Sequence, residues 1–369
     1  MLLWRSRLLA NYNKGRASGH WRRLSDTSRA MTTDSLIAET IADPRWFPLY
    51  FDARTGNLHF AFVPAEMHRE LAFLKDLKPA ASEIRIIPRA AIAQYPVQRA
   101  PLHLILHSGL GGSTLVARAL AQPEVAVALQ EPPILTDVIL SGRDPSSGEA
   151  LLAEVTRLLA RPFSPGEAVV CKLSGIGNGM AQAIAAMDER SQLLCLQNPL
   201  DQLLSAFAAR GASGRMAGRQ LAIGIRNSGR FAFPMSDAEL LNHTDFQLAA
   251  FAWLSIQKMM IDAANALGAT RVASVTSDKL MRDTPATLAA IAAHFRLKCD
   301  VDLWAASGTF TRHAKSGEPF DQKARAERLA ESLRVHAQEI EPVIGWAKEV
   351  AEKAGIPWEL PSPLLEQTA

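Results

Sequence analysis

The chain has 369 residues, 48% of them hydrophobic and 21% charged, with a formal net charge of +3. This is an ordinary globular composition, long enough for one large α/β domain with a sizeable core and a small appendage. The charge is too small to argue for nucleic acid or a membrane surface, and no apolar run approaches the roughly 20 residues of a membrane span.

Residues 1–33 are set apart by composition. Arg5, Arg7, Lys14, Arg16, Arg22, Arg23 and Arg29 face a single acid, Asp26. The balance is that of a transit peptide, but the apolar start, Met1 to Trp4, is too short for a secretory signal. A disordered basic tail is expected, or a true start at Met31. Residues 34–96 read as a small N-terminal α+β cap. A helix is predicted over Ser35–Ala42, then strands over Leu49–Asp52 and His59–Val63 joined by a turn at 53–57, then a helix over Glu66–Leu77. Trp46, Phe47, Phe60 and Phe62 supply its apolar content.

From 97 to 369 strands and helices alternate. Strands are predicted at Leu102–Leu106, Val125–Leu129, Ala168–Leu173, Leu193–Leu196 and Arg271–Val275. Helices are predicted at Ser113–Ala121, Leu151–Leu159, Gly179–Met187, Pro199–Ala209, Phe246–Leu267 and Pro285–Phe295. The alternation predicts an α/β fold of the three-layer, P-loop NTPase-like kind, with a mostly parallel central sheet covered on both faces. Residues 210–234, rich in Gly, Ser and Arg, read as a mobile loop or lid. Residues 308–321 read as a polar connection, and Gln322–Ala354 as one long charged helix. The three cysteines, Cys171, Cys195 and Cys299, are scattered. They read as buried thiols in a reducing, cytoplasmic compartment, and no metal-ligand spacing occurs.

The organising stretch is PLHLILHSGLGGSTLVARAL, from Pro101 to Leu120. A buried strand runs into a glycine-rich turn, and a helix opens at once on Ser113 and Thr114. Glycines let backbone N–H groups approach an anion, and the helix start adds unpaired donors. Ser108, Gly109, Gly111, Gly112, Ser113, Thr114 and Leu115 are therefore candidate anion-binding residues, against the alternative of a tight turn without ligand. The turn lacks the lysine of a Walker A loop and does not fit G-x-G-x-x-G. Lys172 ends an apolar strand, which directs its charge to the ligand edge or lets it snorkel. Glu131 lies just past a strand, and His107 closes the first strand of the domain.

With these motifs in this order the chain resembles the sulfotransferase family, whose members transfer a sulfonate from 3′-phosphoadenosine-5′-phosphosulfate. The resemblance covers Leu102 to Ser316. Ser108 to Leu115 is similar to the family's 5′-phosphosulfate loop, and Glu131-Pro132 to the Glu-Pro that follows the next strand. Val170-Cys171-Lys172-Leu173-Ser174 is similar to the strand ending in lysine. Gln197-Asn198-Pro199 with Ser205 is similar to the family's Arg-Asp-Pro and serine, its 3′-phosphate site. Ser277-Asp278-Lys279-Leu280, with Asp283 and Pro285, matches a later segment. His313, Lys315 and Ser316 resemble the polar stretch that closes over the nucleotide.

The resemblance implies sulfonate transfer to a hydroxyl or amine on a small molecule or peptide, without metal or nucleic acid. It implies that the loop, Gln197, Asn198, Ser205 and Lys315 hold the donor and that Lys172 stabilises the transferred charge. Glu131 is the first candidate base and His107 the second. The chain departs from the family at Gly111, where Lys or Arg is usual, and at Gln197-Asn198-Pro199. Arginines of residues 210–230, or Lys315, are the expected substitutes for those cations. The departures also raise a nucleotide-binding protein without transfer activity. A kinase-like transferase using ATP is a third reading, opposed by the missing Walker lysine.

Overall fold

The computed structural model describes residues 33–77, 79–80, 83–141, 145–306, 312, 319 and 321–364. The basic tail, apart from Thr33, lies outside these residues, as do His313, Lys315 and Ser316.

The N-terminal part opens with a helix, Thr33–Ala42, and continues into an antiparallel sheet of β1 (Trp46–Asp52), β2 (Asn57–Phe62) and β3 (Ile84–Pro88) in that order. Strand β1 begins at Trp46 rather than Leu49 because Pro48 is accommodated on an edge strand, where the register shifts between Pro48 and Tyr50. Strand β3 lies in a stretch for which no element is predicted. The helix expected over Glu66–Leu77 stops early. It covers Ala65–Glu70, and after an extended Phe73 a single 3-10 turn spans Leu74–Asp76.

The main sheet has five strands: β4 (Leu102–His107), β5 (Ala126–Gln130), β6 (Ala168–Lys172), β7 (Leu193–Gln197) and β8 (Val272–Thr276). Their order is β5-β6-β4-β7-β8, and every pairing is parallel. All residues of β4 to β7 are buried, which explains their continuous apolar runs. One face, with Ile105, Ala128, Val170 and Leu194, packs against the helices Ser113–Leu120 and Thr284–His294. The other face packs against Asp245–Leu267 and shares one contiguous core with the antiparallel sheet. From β4 the chain goes first to β5 and β6 on one side, then crosses to β7 and β8 on the other. The crevice at the carboxyl end of β4 is thus a topological switch point, where such sheets bind ligands.

Two expectations need correction. Residues 210–234 are not a loop: Gly211–Asn227 is a 17-residue helix. Its buried residues Gly214, Gly218, Ala222 and Ile225 recur at helical spacing. A Cβ on Gly218 would lie 2.9 Å from Ala249 Cβ, so these glycines serve close helix packing rather than chain breaking. The long C-terminal helix is two helices, Gln322–Val335 and Ala337–Lys353, divided at His336.

The two sheets are tied by Arg161, 4% exposed, at the end of the helix Pro145–Leu159. Its guanidinium donates to the carbonyls of Thr40, Ile41, Asp43, Trp46 and Leu158 at 2.5–3.0 Å. This closes the carboxyl end of the first helix, where unpaired carbonyls favour a cation. Arg161→Met strands these acceptors in the interior and is expected to cost about 3 kcal/mol. Arg161→Lys, lacking the planar fork, should recover less than half of the loss in urea unfolding.

Candidate active site at the end of the central strand

The loop after β4 is built on positive backbone angles: Gly109 at φ 99°, Leu110 at 55° and Gly112 at 95°. Leu110 adopts this conformation without being glycine, which is uncommon outside sites fixed by their surroundings. Gly111 is required for a different reason. A Cβ there would lie 2.9 Å from Leu196 Cδ2, 3.1 Å from Asn198 Cβ and 3.4 Å from Ser277 Cβ. Position 111 is therefore pressed against the end of β7 and the start of the helix Ser277–Arg282. A side chain there requires Leu196 and Asn198 to give way.

Asn198 is the bracket that holds the loop. Its backbone N–H donates to Ser108 Oγ at 2.7 Å, and its carbonyl accepts from Trp253 Nε1 at 2.8 Å. Its Oδ1 accepts from Ser277 Oγ at 2.8 Å. The side chain is completely buried, yet Nδ2 has no hydrogen-bond partner among the described residues. A buried amide donor in that condition costs free energy until something accepts from it.

On the same face of the sheet, β4, β5 and β6 bring His107, Glu131 and Lys172 together. Lys172 is paired with Gln130 in register, and Glu131 extends that ladder by donating its N–H to Lys172 O at 2.9 Å. The Lys172 side chain is 1% exposed. Its Nζ donates to Glu131 Oε1 at 2.7 Å and to Thr114 Oγ1 at 3.3 Å, and lies 4.7 Å from the Phe73 ring centroid. His107 Nε2 lies 3.7 Å from Glu131 Oε1. The His107 backbone is held by the Asn178 amide, which accepts from its N–H at 3.3 Å and donates to its carbonyl at 3.0 Å.

Electrostatics follow from this packing. Burial works against ionisation of Glu131, but His107 and Lys172 outweigh it and hold the carboxyl well below the usual carboxylate range. Burial lowers the proton affinity of Lys172, with Glu131 opposing that effect. Cys171 on β6 and Cys195 on β7, on either side of β4, are pushed up to about 12 by burial and are inert thiols.

Two expected site residues are engaged elsewhere. Gln197 is on the opposite face of the sheet from Leu196 and Asn198, as strand alternation requires. Its amide donates to Gln257 Oε1 and to Trp358 O, both at 3.0 Å. Ser205 is 1% exposed and donates to Asp201 O at 2.7 Å within its own helix, Leu200–Ala208. Lys315 lies outside the described residues. Three arginines of residues 210–230 are engaged: Arg215 pairs with Glu339, Arg219 with Asp245 and Arg226 with Asp237 at 2.6–2.8 Å.

A different cation reaches the loop. Arg325, on Gln322–Val335, donates to Leu110 O at 3.4 Å. Sequence reading missed it because a lone arginine in a charged helix reads as a solvated face. Among the described residues no cluster of three or more His, Cys, Asp or Glu is placed to hold a metal ion.

No protein-family model matches the chain, and no curated protein does. The chain is similar to solved sulfotransferase structures. A sulfotransferase domain from the curacin biosynthetic pathway is 13% identical, with a TM-score of 0.42, covering 72% of this chain and 100% of that one. A sulfotransferase from Alicyclobacillus acidocaldarius is 12% identical, with a TM-score of 0.34, covering 64% of this chain and 97% of that one. A sulfotransferase domain from the Synechococcus PCC 7002 olefin synthase is 13% identical, with a TM-score of 0.35, covering 69% and 97%.

The ion pair can be tested through stability. Lys172→Met leaves Glu131 uncompensated and should cost roughly 3–5 kcal/mol, while Lys172→Met with Glu131→Gln should recover most of it. Glu131 has a folded-state pKa below its ordinary 4.5, so its contribution is present above that value and is lost as pH falls below it. The stability gap between wild type and Glu131→Gln should therefore narrow in urea melts between neutral pH and about pH 3.

Proposed function

We propose that the chain is a sulfotransferase-like enzyme that moves a sulfonate from 3′-phosphoadenosine-5′-phosphosulfate to a hydroxyl or amine. The observation that carries this reading is the cluster of Lys172, Glu131, His107 and Thr114 beside a positive-φ glycine loop, at the switch point of a parallel sheet. The residues suit such a donor. Backbone N–H groups from Gly109 to Thr114 form an anion cradle, and the unpartnered Asn198 Nδ2 offers a further donor.

The chemistry needs placed charge more than covalent catalysis. Lys172 and Thr114 stabilise negative charge as the sulfur–oxygen bond to the donor's 5′-phosphate breaks and a bond from sulfur to the acceptor forms. His107 takes the proton that the acceptor loses. Glu131 is the weaker candidate for that task, because an ionised carboxylate held low in proton affinity by Lys172 is a poor base. It acts instead as the anion that positions Lys172 and His107. Arg325 supplies positive charge to the loop from the helix Gln322–Val335.

A nucleotide-binding protein without transfer activity is the second reading. The observation favouring it is the engagement of the Lys172 ammonium with Glu131. Three measurements test the reading, and turnover divides it from the second. Adenosine 3′,5′-bisphosphate should raise the melting temperature, and ATP or sulfate at the same concentration should not. Arg325→Ala should weaken bisphosphate binding about tenfold or more, the worth of one charge-assisted contact. His107→Asn should keep that binding while lowering kcat by about 100-fold to 10000-fold. Bisphosphate binding with no turnover on any hydroxyl or amine acceptor would favour the second reading.

A further inference from the structure

The Lys172 ammonium has three neighbours, each from a different part of the chain. Thr114 belongs to the helix that follows the glycine loop, and so marks the donor side. Glu131 belongs to the end of β5. The third is the ring of Phe73, which belongs to the N-terminal extension and not to the parallel sheet or its helices. With Glu131 and Thr114 on its other contacts, a lysine 1% exposed is screened from solvent by that ring.

The backbone around Phe73 suits this placement. The residue is extended, at φ −150° and ψ 132°, in the gap between Ala65–Glu70 and the 3-10 turn Leu74–Asp76. Leu74 and Leu77, 1% and 5% exposed, anchor the segment in the core just after it. Phe73 itself is half-buried. A second ammonium, that of exposed Lys75, also lies 4.7 Å from the ring centroid. Two like charges at one ring oppose each other, which offsets part of the attraction each has for the aromatic face.

We propose that Phe73 is the acceptor-side wall of the site and a positioning residue for Lys172, so that the acceptor reaches the ammonium by displacing or stacking on this ring. The inference rests on the sulfonate-transfer reading for the word acceptor, but not for the cover over Lys172. Thr114 brings the ammonium to the glycine-loop helix at 3.3 Å, whereas the ring 4.7 Å from it comes from a segment outside that loop and helix, which is the ground for assigning Phe73 to the acceptor rather than the donor. A desolvated aromatic–ammonium contact favours the closed arrangement by on the order of 30-fold, a bias that ligand binding of ordinary strength overcomes.

The experiment is amine labelling. The purified full-length protein is treated with acetic anhydride at pH 9, and the extent of acetylation at Lys172 and Lys75 is read by peptide mass spectrometry. In wild type, Lys75 should be acetylated at least tenfold faster than Lys172. In Phe73→Ala, Lys172 should gain at least tenfold, and in Phe73→Tyr it should stay protected. Phe73→Leu, which keeps apolar volume but not the ring, gives an intermediate gain and serves if the alanine variant does not fold. Unchanged protection of Lys172 in the folded alanine or leucine variant overturns the proposal.

A kinetic arm separates a wall from a merely structural residue. Phe73→Ala should raise KM for the acceptor while leaving bisphosphate affinity unchanged, and Phe73→Tyr should restore KM. A lowered bisphosphate affinity in the alanine variant would place Phe73 on the donor side and overturn the assignment. If the bisphosphate binds no variant at all, the transfer reading fails, while the labelling result still decides whether Phe73 covers Lys172.

Discussion

The buried pair of Lys172 and Glu131 is the interaction on which the site depends. An ammonium 1% exposed is unfavourable unless an anion sits within contact distance, and Glu131 Oε1 does so at 2.7 Å. The carboxylate reaches it because Glu131 turns into a left-handed conformation, φ 53°, directly after β5 while its N–H still bonds to Lys172 O. One backbone bond therefore continues the ladder, and one side-chain bond closes over it. The same oxygen faces His107, so proton affinity at all of these groups is coupled through a single carboxylate. Such a pair contributes little net stability but strongly penalises the loss of either member, which makes it a specificity device for the carboxyl end of the sheet.

Much of this end was legible in the chain. Runs such as Leu102–Leu106, apolar but for His103, and Leu193–Leu196 are short and followed by turn chemistry, so strand identity and parallel order follow from burial. Glu131, Lys172 and His107 could be grouped because each closes a strand of one parallel sheet, and parallel strands deliver their carboxyl ends to one edge. What failed was sidedness and sequence distance. Gln197 and Asn198 are neighbours in the chain, yet alternation sends one to Gln257 and the other to Ser277, on opposite faces. Glycines at 214 and 218 read as breakers, although at a spacing of four they form a contact face for a helix. Arg325 and Phe73 carried no local signal, because their role exists only through folding of distant segments onto the loop.

Gly111 changes the meaning of the missing cation. Read in sequence, it is a lost charge at a position that others fill. In the fold it is a contact point, with Leu196, Asn198 and Ser277 within 3.4 Å of where a Cβ would stand. The loop is drawn against β7 by the bonds from Asn198 to Ser108 and from Ser277 to Asn198. A side chain at 111 would crowd this bracket, and in this chain a charge reaches the loop from outside it. Arg325 does so through the carbonyl of Leu110, one residue away. A charge borne on a separate helix adjusts to a ligand without altering the loop backbone, at the cost of depending on how that helix docks.

The N-terminal extension follows the same logic. Its sheet shares a contiguous core with the parallel sheet, and Asp137, on the helix Pro133–Ser141, accepts from Phe51 N–H on edge strand β1 at 3.0 Å. Arg161 fixes the extension's first helix and the start of β1 to the same body. With both ends of the extension held in this way, the segment carrying Phe73 is located by Leu74 and Leu77 rather than by the ring's own contact with Lys172. The chain thus divides the burial of Lys172 between two parts: the carboxylate paired with it follows a strand of the parallel sheet, and the ring beside it comes from the extension.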